Sequence, residues 1–423
     1  MIILILATLI VLLIVGVPIF MAMGVPGVIM GAFRGPLESI AQLMVGFSSK
    51  YLFMCIPLFI LAGDIMAKGG ASKRLVDMVE SFVGHIPGGL ALVVVYSCAI
   101  FACLTGSTMA TVAAIAPIIY KPMIDKGYSV PFTTGVIAAS GTLGILFPPS
   151  VPLIVYAGIT EQSIPALFMA GFAPGIVLTI LLTIAILIIS KIKNYGAGQR
   201  YSWSERRRIF IRSLPVLMLP VIILGGIFSG IFTPTEAAAI AVVYGFAISK
   251  FWYKEISWRA TWECIMHAAV VVGMVMILTS FAQLFANGLI FLKFSDTIVN
   301  FVVSNVGSWI LFMLGINIMW LILGMFIDPL SILLLSTPLL YPVLAPLGIS
   351  PIHFAIVLIL NDEIALITPP VGLNLFVLSG VTKVNIETIA RGIIPFFVIM
   401  IVMLLIVTYW PTLSTFLPAL AGL

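Results

Sequence analysis

Few polar residues of this chain have the type and spacing for chemistry, and most of them interrupt long apolar runs. Thr105-Gly106-Ser107-Thr108 breaks one run, and Asp328-Pro329 breaks another. Two adjacent acids, Asp362 and Glu363, stand shortly before Thr368-Pro369-Pro370. Hydroxyl, carboxylate and main-chain carbonyl oxygens are hard ligands that suit Na⁺ rather than a transition metal. These residue types therefore predict binding sites for a hard cation.

Motifs for enzymatic chemistry are missing from the sequence. It contains no G-x-x-x-x-G-K-[ST] phosphate loop, no H-E-x-x-H and no G-x-S-x-G. Asp328 and Asp362 could form the pair of an intramembrane aspartyl protease, and a passive channel is a further alternative. Neither alternative is supported by a specific pattern, so we expect no enzymatic activity.

The composition predicts a polytopic membrane protein made only of α-helices. Of the 423 residues, 62% are hydrophobic and 8% are charged, and the mean hydropathy is +1.27. Average soluble domains have about 25% charged residues. The apolar runs are long enough for spanning helices, whereas a spanning β-barrel would show short alternating segments. The net charge of +5 comes from loops, where Lys and Arg set orientation, so we expect no nucleic-acid partner.

Proline, glycine and charge clusters divide the apolar runs into candidate elements. Two long pieces with polar centres, 88–122 and 308–343, are predicted to be re-entrant hairpins, and 131–160 and 351–381 are predicted to be broken helices. The basic loop 191–213 is predicted to be cytoplasmic. The positive charges then fall almost entirely inside, with only Arg34, Lys50 and Lys293 outside. Both termini are predicted to be periplasmic.

The two halves of the sequence resemble each other at a constant displacement. "PIIYKPMIDKGYS" begins at 117 and "PLLYPVLAPLGIS" begins at 338, a difference of 221 residues. The same displacement places Pro148-Pro149 on Pro369-Pro370. Each half is predicted to cross the membrane five times, an odd number, so the two repeats have inverted topology. Inverted repeats with broken helices are typical of secondary transporters.

Each helix break frees carbonyl groups at one end and N–H groups at the other. In a bilayer such groups persist where they line an occupied cavity, and carbonyl ends suit a cation while N–H ends suit a carboxylate. We expect at least two Na⁺ sites, each formed by a hairpin tip and a break. Their candidate residues are Ser107, Gly141, Gly144 and Pro148 for the first site, and Gly324, Asp328, Thr368 and Gly372 for the second.

The substrate carboxylate is expected between the two tips, near the N-terminal ends of the half-helices. The candidate substrate-binding residues are Thr105, Ser107, Thr108, Ser150, Asp328 and Asn374. A structural interpretation stays open for each hydroxyl, because Ser and Thr within spans often bond back to a carbonyl of their own helix. The proline breaks have a structural interpretation too, as packing kinks.

Several of these segments resemble the large membrane subunit of tripartite ATP-independent periplasmic (TRAP) transporters. The resemblance runs from about residue 15 to the C-terminus, and it is carried by "GSTMATVAAIAPIIYKPM", "GTLGILFPPSVPLIVYAG", "GIFTPTEAAAIAVVYG", "GMFIDP" and "NDEIALITPPVGLNLFVLSG". It implies a sodium-coupled importer of organic acids in the bacterial inner membrane that works by an elevator motion. It also implies sodium around Ser107, Gly144, Gly324 and Thr368.

The resemblance also implies partners and a domain organisation. The partners are a small four-helix membrane subunit and a soluble periplasmic substrate-binding protein. Amphipathic arms at 36–49 and 254–266 would brace a scaffold that includes 2–33 and 214–250. The predicted units are scaffold and arm 1–50, transport domain 51–190, basic loop 191–213, scaffold and arm 214–266, and transport domain 267–423.

Two residues depart from the family pattern, which usually has Gly where Ala365 stands and an apolar residue at Asp362. One interpretation is that Asp362 faces water or a partner. Sialic acid is the first guess for the substrate, with C4-dicarboxylates and 2-oxo acids as alternatives. A stand-alone sodium/carboxylate symporter, which works without a binding protein, is the alternative function.

Overall fold

The computed structural model describes residues 2–423. Met1 and the side chains of residues 2, 3, 6, 14, 34 and 37 lie outside the described part, so the prediction for Arg34 is not addressed there. Within the described range the regular elements are helices, and the extended chain forms one isolated bridge between Pro87 and Ala197. Six segments are long and apolar enough to cross a membrane, by length and composition.

The first half contains eleven α-helices. They are α1 Ile2–Ile14, α2 Ile19–Arg34, α3 Leu37–Ser48, α4 Cys55–Lys68, α5 Ala71–Val83, α6 Gly89–Thr105, α7 Thr108–Asp125, α8 Val130–Gly141, α9 Leu143–Leu146, α10 Val151–Thr160 and α11 Ile164–Ile192, with a 3-10 turn at Tyr51–Met54 before α4.

The second half contains ten α-helices. They are α12 Trp203–Phe228, α13 Pro234–Ala247, α14 Trp258–Phe291, α15 Phe294–Asn305, α16 Trp309–Gly324, α17 Pro329–Leu344, α18 Pro351–Leu366, α19 Leu373–Thr382, α20 Ile386–Tyr409 and α21 Thr412–Leu420, with a π turn at Ile248–Trp252 after α13.

Helix starts follow the local sequence. Thr233 accepts from the backbone N–H of Glu236, and the Glu236 carboxylate accepts from the backbone N–H of Thr233, so a capping box opens α13. Ser202 and Glu205 form the same arrangement at α12. Proline occupies the first turn of α8, α10, α11, α17 and α18, where its missing N–H costs no hydrogen bond.

The predicted hairpins and breaks lie at the expected residues. Hairpin α6–α7 turns at Gly106-Ser107, and α16 is followed by α17 after a turn over 325–328. The helix that includes α8 is interrupted at 147–150 and the one that includes α18 at 367–372. Starts at 108 and 329 for α7 and α17, and at 130 and 351 for α8 and α18, are each separated by 221 residues. The two halves thus correspond in their helix boundaries as well as in their amino-acid sequence.

The broken helix of the first half is almost completely buried. In the most apolar stretch of 130–160, 94% of the residues are buried, against 33% in α11. α8 packs against α6, α7 and α20, and α18 packs against α16, α17 and α20. The first break is therefore surrounded by protein, whereas Pro369, Pro370 and Val371 in the second break are exposed.

A second packing group forms around α14. This helix contacts α2, α3 and α4, and α4 also packs against α13. From Trp258 onward, the arm predicted over 254–266 and the span predicted over 268–290 belong to one continuous helix, whose sequence contains no proline. The domain boundary that the sequence analysis places between residues 266 and 267 falls inside that helix.

Candidate functional site

The tip of the first hairpin is built from its own hydroxyls and one left-handed glycine. Gly106 has φ +60°, which is costly for other residues and lets the chain reverse between α6 and α7. Ser107 caps α7 by accepting from the N–H of Ala110 at 3.4 Å. The Thr111 hydroxyl donates to the carbonyl of Ser107 at 2.9 Å and lies 3.1 Å from the Thr105 hydroxyl. We call residues 105–108 tip 1.

Tip 1 packs directly on the first break. A Cβ atom on Gly144 would lie 2.6 Å from the Cα of Thr108, so only glycine allows this approach. A Cβ atom on Gly106 would collide with the carbonyl oxygen of Pro149. The predicted residues Gly144, Ser107 and Pro148, the neighbour of Pro149, therefore lie in one region of the fold.

The second turn, residues 324–329, is tip 2, and it packs on the second break. Asp328 caps α17 by accepting from the backbone N–H of Ser331 at 3.0 Å, and its carboxylate also accepts from the Ser331 hydroxyl. The backbone N–H of Val371, inside the second break, donates to the carbonyl of Met325 at 3.3 Å. The Asp328 carboxylate is thus already engaged as a helix cap while it lies at the predicted cation site.

The remaining predicted residues of the second site lie along the same break. A Cβ atom on Gly324 would collide with the Cβ of Ala365. The Thr368 hydroxyl donates to the carbonyl of Ile364 at 2.5 Å, which is the bond back to its own helix considered as the structural interpretation. Gly372 has φ +33° and immediately precedes α19.

Two contacts bring the halves together. The Thr108 hydroxyl of tip 1 donates to Oε1 of Glu363 on α18 at 2.5 Å, and both residues are buried. Asn374, in the first turn of α19, lies against the end of α8. Its Nδ2 is 3.6 Å from the position that a Cβ atom would occupy on Gly141. The two breaks therefore belong to one site rather than to two distant ones.

A cavity of about 790 Å³ opens beside the tips, a size typical of ligand sites. Four of the predicted substrate and cation residues line it, namely Thr105, Ser107, Thr108 and Asp328. The others do not line the cavity formed by the described residues; they are Gly141, Gly144, Pro148, Ser150, Gly324, Thr368, Gly372 and Asn374.

Helix ends surround this cavity. Thr108, Val151, Pro329 and Leu373 line it, and each is the first residue of α7, α10, α17 or α19. Thr105 and Leu366, the last residues of α6 and α18, line it too. Helix N-termini carry partial positive charge and C-termini partial negative charge. The cavity thus offers backbone groups of both signs.

Charged residues from α4 and α14 line the cavity at one end. Asp64, Lys68 and His267 belong to its walls. His267 Nδ1 lies 2.6 Å from a carboxylate oxygen of Asp64, and Lys68 donates to Glu263 at 3.2 Å. These pairs join α4 to α14 beside the cavity. Sequence reasoning did not select them, because their partners stand about 200 residues apart.

Several buried polar groups near the breaks have no hydrogen-bond partner among residues 2–423. They are the Ser150 hydroxyl, both amide atoms of Asn374, both carboxylate oxygens of Asp362, and Oε2 of Glu363. Buried polar groups are almost always paired in folded proteins. These unpaired groups make the surroundings of the two breaks a candidate ligand site.

The structure corrects the interpretation of Asp362. It faces neither water nor an open surface, since only 1% of the residue is exposed. Glu363, which is buried and accepts from Thr108 of tip 1, is a further candidate that was not predicted from the sequence. The signal for both was available in the sequence, because two adjacent acids within an apolar helix are costly and usually functional.

Comparisons with known proteins identify the family and several relatives of this chain. The chain matches the family model described as "Tripartite ATP-independent periplasmic transporter, DctM component" over residues 6–413. It is 41% identical to the C4-dicarboxylate TRAP transporter large permease protein DctM of Pseudomonas aeruginosa, covering 92% of this chain and 91% of that protein.

A longer relative and a solved structure are also similar. The isethionate TRAP transporter permease protein DctMQ of Oleidesulfovibrio alaskensis is 36% identical, covering 96% of this chain and 64% of that protein. The structure of the YdaH transporter of Alcanivorax borkumensis aligns with a TM-score of 0.64, covering 91% of this chain and 87% of that one, at 13% identity. The last similarity is one of fold.

Proposed function

Because the chain belongs to the DctM family of tripartite ATP-independent periplasmic transporters, we propose that it is the large permease subunit of a sodium-coupled importer of organic acids. It would act in the bacterial inner membrane with its termini in the periplasm. Sodium coupling, the transported acid and the motion are the parts of this proposal that experiment has to test.

One observation carries the proposal: opposite ends of several helices converge on a single cavity. The N-termini of α10 and α19, which no side chain caps, are suited to bind the carboxylate of a substrate, whereas Ser107 and Asp328 already cap α7 and α17. The carbonyl groups at the C-terminal ends of α6 and α18, which line the same cavity, are suited to bind Na⁺. A site with both features binds the acid and the cation together, which is the basis of coupled transport.

We place one Na⁺ at tip 1 and the first break, and another at tip 2 and the second break. The first would be held around Ser107 and Gly144, with Gly141 and Pro148 as the other candidate residues of that site. The second would be held around Gly324 and Thr368, with Asp328 and Gly372 nearby. Sodium binding orders the tips and offsets the negative charge near them, so the acid binds after it, against Thr105, Thr108, Ser150 and Asn374.

We infer that the cavity is open toward the cytoplasm in this conformation. It is lined by Asp64, Lys68 and Ser72, beside the positive charges predicted to lie inside. On the predicted periplasmic side, Lys50 donates to the carbonyl of Gly158 at 3.0 Å and lies 3.7 Å from Glu161. That side is held closed by these contacts.

The proposed elevator motion moves the hairpins and broken helices against a scaffold. We assign to the scaffold the group formed by α2, α3, α4, α13 and α14, because these helices pack mainly on one another. This assignment differs from the sequence prediction, which placed α4 and most of α14 in the transport domain. The inverted relation of the two halves would supply the second end state, in which the periplasmic side is open.

The substrate is proposed to be a small organic anion, with C4-dicarboxylates placed before sialic acid and 2-oxo acids. The relative at 41% identity is named for C4-dicarboxylates, and the cavity holds several N-termini for more than one carboxylate. The name DctMQ, on a relative of which this chain covers 64%, supports a small membrane subunit as partner. A periplasmic binding protein would deliver the acid.

The test is uptake into liposomes that contain this chain and its small subunit. Radiolabelled succinate, sialic acid and pyruvate are offered, each with its binding protein, under an inward Na⁺ gradient or an equal K⁺ gradient. We expect uptake of one acid that needs both the binding protein and Na⁺. Uptake that is equal with Na⁺ and K⁺ would refute sodium coupling, and uptake without the binding protein would support a stand-alone symporter.

A further inference from the structure

A second cavity lies between α2, α3 and α14, and it shares no lining residue with the cavity beside the tips. Its volume is about 620 Å³. Polar side chains of α3 and α14 line it together with the lysine that follows α3, namely Ser39, Gln42, Gln283, Asn287 and Lys50. We call this cavity the arm pocket. The proposed transport site makes no use of it.

The α14 wall of the arm pocket belongs to a polar stripe on an otherwise apolar helix. Ser280, Gln283 and Asn287 follow one another at spacings of three and four residues, so they share one face of α14. The Ser280 hydroxyl is hydrogen-bonded to the Ser48 hydroxyl, which joins α14 to α3. Gln283 and Asn287 are half-buried and form no side-chain hydrogen bond within residues 2–423, and neither does Gln42 on the α3 wall. Partners for these three amides must come from a ligand or from solvent.

The arm pocket lies where spanning helices end. α14 has 34 residues and is therefore about 51 Å long at 1.5 Å per residue, which exceeds the hydrocarbon core of about 30 Å. The pocket is lined by the last turns of α14 and by Gly31 in the last turn of α2. The ends of spanning helices reach the level of the lipid headgroups. A membrane lipid can thus present its headgroup to the pocket.

The charge in the arm pocket suits a phosphate group. Lys50 is the only charged residue among the described side chains that line it, so no acid there repels an anion. An ammonium group has three donors, and the contact of Lys50 with the carbonyl of Gly158 leaves room for another acceptor. Each amide adds two N–H donors and one carbonyl acceptor. The pocket therefore suits a ligand that has a phosphate and also N–H or O–H groups.

The edge of the arm pocket is apolar and exposed. Leu43 and Phe291 line the pocket and are 39% and 51% exposed. A soluble anion gains nothing from such an edge, whereas acyl chains pack on it. The walls come from three helices, so the pocket suits a compact headgroup better than a partner helix, which is about 10 Å wide. Together these features favour a phospholipid as the occupant.

We propose that the arm pocket binds one phospholipid whose headgroup carries N–H or O–H donors besides the phosphate, as in phosphatidylethanolamine and phosphatidylglycerol. The phosphate accepts from Lys50 and from amide N–H groups, and the headgroup donates to the amide carbonyls of Gln42, Gln283 and Asn287. The acyl chains lie along the apolar edge. The bound lipid joins α3 to α14 and braces the arm. This inference does not depend on sodium coupling.

The test measures lipid binding to the purified complex of this chain and its small subunit by native mass spectrometry. Phosphatidylethanolamine, phosphatidylglycerol, phosphatidylcholine and soluble glycerophosphoethanolamine are titrated separately. We expect the first two to bind, and phosphatidylcholine, which has the phosphate but no donor, to bind about tenfold more weakly. Glycerophosphoethanolamine has the same headgroup without acyl chains and should also bind more weakly, because the apolar contacts are lost.

Two variants test the pocket in different ways. The double variant Gln283→Leu/Asn287→Leu removes the amides of α14, and we expect binding of phosphatidylethanolamine to fall at least about tenfold. Asn300→Leu is the matched control, because it makes the same change at an exposed site on α15 outside the pocket. Gly46→Leu fills the pocket from α3 and leaves every amide in place. A Cβ on Gly46 has nothing within 4 Å, and leucine favours a helix more than glycine does, so this variant should fold and lose the lipid.

Three results would overturn the proposal. Equal binding of phosphatidylethanolamine by the parent and by Gly46→Leu would place the lipid elsewhere. Equal binding of phosphatidylcholine and phosphatidylethanolamine by the parent would show that the amides do not receive headgroup donors. Binding to the chain alone that the small subunit abolishes would make the pocket a subunit contact. None of these results bears on sodium-coupled uptake, so the proposed function is tested separately.

Discussion

Replacing Gly144 with alanine places a methyl group where the backbone of tip 1 lies. The added Cβ would be 2.6 Å from the Cα of Thr108, 2.7 Å from its N and 2.9 Å from the carbonyl carbon of Ser107. Ordinary contacts begin near 3.4 Å, and all three neighbours are backbone atoms, so no side chain can rotate away. Tip 1 must therefore retreat by about 0.8 Å, the difference between 3.4 and 2.6 Å.

Overpacking of this kind costs about 1–3 kcal/mol. If the tip recovers its position only when sodium binds, that cost is taken from the binding free energy. The sodium concentration for half-maximal uptake should then rise about 5- to 150-fold. The stability of the protein without sodium should change much less, because the tip can stay displaced.

The assay is initial uptake in liposomes at several sodium concentrations, with Gly315→Ala as the control. Gly315 lies on α16, where an added Cβ has nothing within 4 Å. The control should keep the sodium dependence of the parent. Equal sodium dependence in Gly144→Ala and the parent would show that tip 1 does not hold the ion.

Three further predictions concern contacts of single side chains. Thr108→Val removes the donor to Glu363, and a hydrogen bond to a charged group contributes about 1.5–3 kcal/mol, so sodium affinity in the uptake assay should fall at least tenfold. Thr108→Ser keeps the donor, and equal behaviour of the two variants would contradict this role. Lys50→Met removes the contacts with Gly158 and Glu161 that are proposed to hold the periplasmic side closed. Labelling from the cytoplasm of a cysteine introduced into the cavity should therefore fall about two- to fivefold. Unchanged labelling would show that these contacts do not hold that side closed. Thr233→Ala removes the cap of α13 and should lower the free energy of unfolding by about 1 kcal/mol, measured by thermal unfolding, with sodium dependence unaltered.

The helix breaks could be predicted because their cause is local. Proline restricts the backbone wherever it stands, so Pro148-Pro149 and Pro369-Pro370 mark the ends of half-helices without knowledge of the fold. The family could be predicted as well, since its motifs are long, and the match over residues 6–413 confirms it. The continuity of α14 was harder to predict, because an amphipathic piece next to an apolar one looks like two elements.

The partner of Glu363 could not be predicted in this way. Thr108 is 255 residues away, and nothing in either local sequence specifies the other. The same holds for His267 with Asp64. Contacts of this kind depend on how packed helices meet, and the sequence pattern supplies only the expectation that a buried acid has some partner.

The two halves place a glycine on opposite partners of the contact between hairpin and broken helix. Gly144 and Ala365 are 221 positions apart and face their tips from equivalent helices. In the first half the broken helix has the glycine, and the tip approaches it closely. In the second half the broken helix has the methyl group of Ala365, and the glycine, Gly324, is on the hairpin instead. The departure from the family pattern at Ala365 therefore does not push tip 2 away, because Gly324 leaves the space that the methyl group fills.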